Sequence, residues 1–122
     1  MPYTKSVNLM AGVATTTTSA GVAIGDRTKI SVSWVTSGLS SGNVTLKTQV
    51  SNDYVNWVDY NRLVSNVAAG TAFTTVTIRS NQTQIAFVPG QDTFSYLRAV
   101  MGYNTAATAL VTVTLVGVIP GQ

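Results

Sequence analysis

Within ALVTVTLVGVI near the C-terminus apolar and hydroxyl side chains alternate one by one, Val111, Val113 and Leu115 interleaving with Thr112 and Thr114. A period of two places the apolar set on one face of an extended strand and the threonines on the other, which a helix cannot do. Val and Thr are both β-branched and already restricted at χ1, so the extended state suits them. The pattern recurs upstream. In KISVSWVT, Ile30, Val32 and Trp34 share one face against Lys29, Ser31 and Ser33. Val44, Leu46, Thr48 and Val50 are expected to face inward against Thr45, Lys47 and Gln49. Leu97, Ala99 and Met101 oppose Tyr96, Arg98 and Val100. No window carries a sustained 3.6-residue apolar stripe with a cap.

Turn residues punctuate these runs. SGLSSGN supplies a glycine–serine loop, SNDYVN a polar turn, Pro89-Gly90 a tight turn, and Pro120 an end to the last strand. Phe73, Val76 and Ile78 mark a strand with an expected bulge where alternation slips, Ile85 and Phe87 mark another, and RLVSNVAAG has room for a short one. Seven or eight short strands with turns every 8–12 residues, roughly, predict an antiparallel, jelly-roll-like β-sandwich. The expected organisation is an extended N-terminal arm over residues 1–25 and a sandwich domain over residues 26–122. The arm is expected to order against something, with Val7, Leu9 and Ala11 able to form an edge strand.

The chain offers little to a reaction. It has no histidine, no cysteine and no glutamate, and its carboxylates are Asp26, Asp53, Asp59 and Asp92. Numerous hydroxyls therefore lack a base to activate them, and no catalytic residue and no cofactor are expected. Asp53 and Asp59 flank one turn, but as a turn former and a solvated strand residue rather than a glycosidase pair. Asn52 and Asp53 are too few to predict a calcium site. The basic residues are scattered, only Arg27 and Lys29 lying close together, so a nucleic-acid face is not expected. Apolar runs fall short of the roughly 20 residues that span a bilayer, and Asn8 interrupts the N-terminal apolar patch, so neither membrane insertion nor signal cleavage is expected.

Charged residues are 9% of the chain, against about 25% in ordinary soluble domains. Such a surface is a candidate for extensive cover by partners. Trp34 and Trp57 are expected to fill the core, with Tyr54 exposed at the turn tip. The candidate contact residues are Tyr54, Trp57, Tyr60, Arg27 and Lys29. Tyr54, Trp57 and Tyr60 form the alternative candidate, a stacking platform for carbohydrate.

SNDYVNW resembles the SND-x-x-NW segment of β-sandwich proteins from tailed-bacteriophage virions, where it follows a strand like VTLKTQV and precedes one like VDY. SYLRAVMGYNTAATALVTVTLVG is similar to the last hairpin of those proteins. That turn usually carries glycine where this chain has Tyr54. Small single-domain members are capsid decoration (cement) proteins, and related sandwiches serve in tails and receptor binding. The resemblance implies a virion protein without choosing between shell and tail; the low charge, the N-terminal arm and the Thr/Val surface favour the capsid surface, with the major capsid protein as partner and a homo-oligomer, a trimer by preference. The alternative it implies is a tail or receptor-binding module recognising carbohydrate.

Overall fold

The computed structural model describes residues 2–60, 63–65, 72–73, 75–88, 94–104 and 107–120. Arg62, Asp92 and the Pro89-Gly90 turn lie outside them. Among the described residues there are twelve strands and no helix. In chain order they are β1 (Tyr3–Val13), β2 (Thr17–Thr18), β3 (Val22–Ala23), β4 (Thr28–Ser37), β5 (Val44–Ser51), β6 (Val58–Asp59), β7 (Leu63–Ser65), β8 (Ala72–Phe73), β9 (Thr75–Ile78), β10 (Gln82–Phe87), β11 (Tyr96–Tyr103) and β12 (Leu110–Ile119).

They form an all-β antiparallel sandwich. Sheet A runs β1-β12-β4-β10-β7-β8 and sheet B runs β2-β11-β5-β6, with β3 also on β11 and β9 also on β5. The strands legible as alternating are the long ones. Val32 and Trp34 of β4 and Val111, Val113 and Leu115 of β12 are buried from sheet A, while Val44 and Leu46 of β5 and Leu97, Ala99 and Met101 of β11 are buried from sheet B. The core lies between these inner faces.

The N-terminal segment packs on its own chain. β1 pairs with β12 from Tyr3↔Ile119 through Val13↔Val111, with irregularities on either side of Met10. The chain then crosses to sheet B, where β2 and β3 pair with β11. Between them Ser19 N–H donates to the Ala99 carbonyl at 2.9 Å, and Ser19 Oγ accepts from Ala99 N–H at 2.9 Å. One short stretch thus clasps both sheets, and Met10 and Ile24 join the core.

Two details depart from the sequence pattern. The slip between Phe73 and Val76 is not a bulge: β8 pairs with β7 in sheet A and β9 with β5 in sheet B, so the chain changes sheets there. In β10 the small Ala86 is buried, with Val88 just beyond the strand, while the larger Ile85 and Phe87 are 40% and 45% exposed.

Candidate functional site

The 51–57 turn is built by short side chains that bond the backbone. Ser51 Oγ accepts from the N–H groups of Asp53 (3.2 Å) and Tyr54 (3.0 Å). Asp53 Oδ1 accepts from the N–H groups of Val55 (2.9 Å) and Asn56 (2.8 Å), and its Oδ2 accepts from Asn56 Nδ2 at 2.7 Å. These donors favour the ionised form and hold the Asp53 carboxyl well below the usual carboxylate range. Asn52 Oδ1 accepts from Ser95 N–H at 3.0 Å, tying the turn to the start of β11. Tyr54 takes the left-handed conformation, φ 65°, at the position where the resembling turns carry glycine.

That conformation directs the Tyr54 ring onto the outer face of sheet B. It meets Trp57 at 5.4 Å and Tyr96 at 5.1 Å between ring centroids, both edge to face. Tyr54 Oη accepts from Gly21 N–H at 3.0 Å, and Trp57 Nε1–H donates to the Tyr54 carbonyl at 3.3 Å. The Arg98 guanidinium carbon lies 4.2 Å from the Trp57 ring centroid, a cation–π contact. Arg98 Nε donates to Gln49 Oε1 at 2.8 Å, and Gln49 Nε2 donates to Asp59 Oδ1 at 2.9 Å. Asp59 also pairs with Lys47 at 3.2 Å. Gln49 first and Lys47 second lower the Asp59 pKa. A methyl group at Gly21 would fall 2.6 Å from both Tyr54 and Trp57, so only glycine fits beneath the two rings.

The candidates therefore separate. Tyr54, 46% exposed, and Trp57 come together on sheet B. Trp57 is a correction: it is half-buried on the outer face rather than in the core, whereas Trp34 is fully buried. Tyr60 is buried, 6% exposed, with its ring against Phe94 at 5.3 Å. Arg27 is buried as well: its stem lies over Gly117 and its Nη1 donates to the Lys5 carbonyl at 3.4 Å. Lys29 stays exposed, with φ 54° at the irregularity between β4 and β12. Gly21, Gln49, Tyr96 and Arg98 complete the cluster. Gln49 and Arg98 were readable as outward residues of their strands, but nothing in the sequence announced that Gly21 would meet this turn.

Two open clefts adjoin the cluster at one end of the sandwich and share Asn52 and Phe94. One, of about 310 Å³, also takes in Arg27 and Ile30; the other, of about 270 Å³, takes in Asp53 and Asn56. Among the described residues no three His, Cys, Asp or Glu side chains gather to hold a metal ion. Asp53 and Asp59, both kept ionised by their donors, are unsuited to deliver a proton as general acids. The arrangement can tie the N-terminal segment to the β5–β6 turn and present a tyrosine edge at the surface.

No model of a known protein family matches the chain, and no characterised protein sequence matches it. Solved structures do. The SPBc2 prophage-derived protein YomS is similar with a TM-score of 0.71 at 13% identity, over 97% of this chain and 95% of YomS. The PBSX exported protein XepA is similar with a TM-score of 0.70 at 11% identity, over 96% of this chain and 38% of XepA, so the chain spans little more than a third of that protein. A protein of the disulfide-linked pili that form Bacillus endospore appendages reaches 0.51 at 12% identity, over 100% of this chain and 88% of its own length. At such identities the likeness is one of fold.

Proposed function

We propose that this chain is a non-enzymatic structural protein of a bacteriophage particle, a capsid decoration protein that oligomerises on the major capsid protein and stabilises the shell. The observation that supports this reading most is the correspondence of the whole sandwich, end to end in both chains, with a prophage-derived protein. The SNDYVNW turn and the last hairpin point the same way, and a charge-poor surface suits permanent contact. The disulfide linkage named for the appendage protein has no counterpart in a chain without cysteine. The carbohydrate alternative draws less support, because Arg98 lies over the Trp57 ring and Tyr54 is anchored at its hydroxyl.

The test is co-sedimentation of the purified chain with shells of the encoding phage that lack it, together with the heat stability of those shells. Saturable binding that raises the temperature of shell disruption is expected. Shells that neither bind the chain nor gain stability would overturn the reading. Deleting residues 1–25 is not a clean test of the arm, since it removes β1, β2 and β3 from the sandwich itself.

A further inference from the structure

We propose that the cleft between residues 24–27 and the start of β11 binds a carboxylate carried beside an apolar group, with Arg27 as its counter-charge. Its volume of about 310 Å³ is at the small end for ligand sites and suits one residue-sized group. The backbone holds its walls in place. Arg27 N–H donates to the Ile24 carbonyl at 3.0 Å, closing a turn over Gly25 and Asp26, and Ile24 N–H donates to the Ser95 carbonyl at 2.8 Å. These bonds fix the lead-in to β4 of sheet A against the lead-in to β11 of sheet B, so a ligand meets a site already formed.

Arg27 is only 9% exposed, yet among the described residues no carboxylate pairs with it. Its side chain makes one hydrogen bond among them, the long one to the Lys5 carbonyl, and its buried Nε has no partner there. A buried charge without a counter-charge is costly, and a bound anion offsets that cost. The guanidinium fork suits the two oxygens of a carboxylate. Further donors line the same cleft. Asn52 Oδ1 is taken by Ser95 N–H, but among the described residues the Asn52 amide N–H groups and the Ser95 hydroxyl make no hydrogen bond. Ile24, Ile30 and Phe94 supply an apolar wall, which selects an organic acid over an inorganic anion. Among the described residues Arg27 is the one cation on the cleft, so a doubly charged phosphate is matched less well. Asp53 lines the neighbouring cleft, its carboxylate bonded within its own turn. The net charge of +3 favours the approach of an anion.

Titration of the full chain with benzoate, followed by amide NMR shifts, tests this, with circular dichroism of every variant. Saturable shifts around the cleft are expected, with a Kd on the order of 1 mM. Arg27→Met keeps a stem over Gly117 and removes the charge; it should weaken binding roughly tenfold or more. If that variant does not fold, Asn52→Asp supplies the same readout, because it keeps the acceptor for Ser95 N–H and sets a carboxylate in the cleft. Arg79→Gln, which removes an equal charge from an exposed position outside the cleft, should leave binding unchanged. A three-residue peptide with phenylalanine at its free C-terminus separates the two sources of such a ligand: binding tighter than benzoate assigns the cleft to the end of a partner chain, weaker binding to a free acid. No saturable shift with either probe, shifts that survive Arg27→Met or Asn52→Asp undiminished, or inorganic phosphate binding as tightly as benzoate overturns the proposal. The chain is titrated alone, so failure here leaves the decoration reading standing.

Discussion

Thr48 lies on the inner face of β5, fully buried, and among the described residues its hydroxyl has no hydrogen-bond partner. A buried, unpaired hydroxyl costs about 1–3 kcal/mol, and valine has nearly the same shape without the polar atom. Thr48→Val should raise the free energy of unfolding by about 1 kcal/mol in urea titration; a loss of stability would show that the hydroxyl is satisfied in solution. Tyr54 carries a different tension. Its left-handed backbone costs a side-chain-bearing residue about 1–2 kcal/mol, while its ring holds Trp57, Tyr96 and Gly21 together. Tyr54→Ala gives up the ring and keeps the strain; Tyr54→Gly gives up both. The glycine variant should therefore unfold about 1 kcal/mol later than the alanine variant, with both below wild type. Equal stabilities would mean that the strain is relieved in solution.

At the scale of elements, the 51–57 turn is clamped by a carboxylate and so responds to acid. Because the folded pKa of Asp53 lies below its ordinary 3.8, the clamp's contribution is full above that value and is lost as pH falls toward the folded one. Urea midpoints at pH 7 and pH 3 should show a smaller acid loss for Asp53→Asn than for wild type, the remainder including Asp59, which shifts in the same direction. Identical losses in the two proteins would refute this. For β1, Met10 is the deeply buried anchor between two irregular stretches of the β1–β12 ladder. Met10→Ala should cost about 2–4 kcal/mol by chemical denaturation; a cost under about 0.5 kcal/mol would mean β1 is dispensable. Elements were legible where burial on one face imposed a period of two, as in β4, β5, β11 and β12. Period says nothing about which sheet a strand joins, so the crossing between Phe73 and Thr75 looked like a bulge. Size misled at β10, where the core admits Ala86 and leaves Phe87 outside. It misled again at Trp57, which finds its cover in Arg98 and Gly21, residues remote in sequence.

Across the whole molecule, the first long strand pairs with the last, and β4 pairs with β10 and β12. Nearly every ladder closes a long loop before it gains contacts, which slows folding in all-β domains to milliseconds or seconds, roughly. Stopped-flow refolding followed by tryptophan fluorescence should fall in that range, and microsecond refolding would contradict the topology. The β1–β12 ladder also has a mechanical side. Tyr3 sits opposite Ile119, so the two ends of the domain leave from one corner, side by side. A pull applied between them loads the ladder at its open end and peels it pair by pair, as a zipper opens. The same sandwich gripped across its sheets would have to break many bonds at once. A domain of this build withstands a load shared across its sheets far better than tension applied between its two ends.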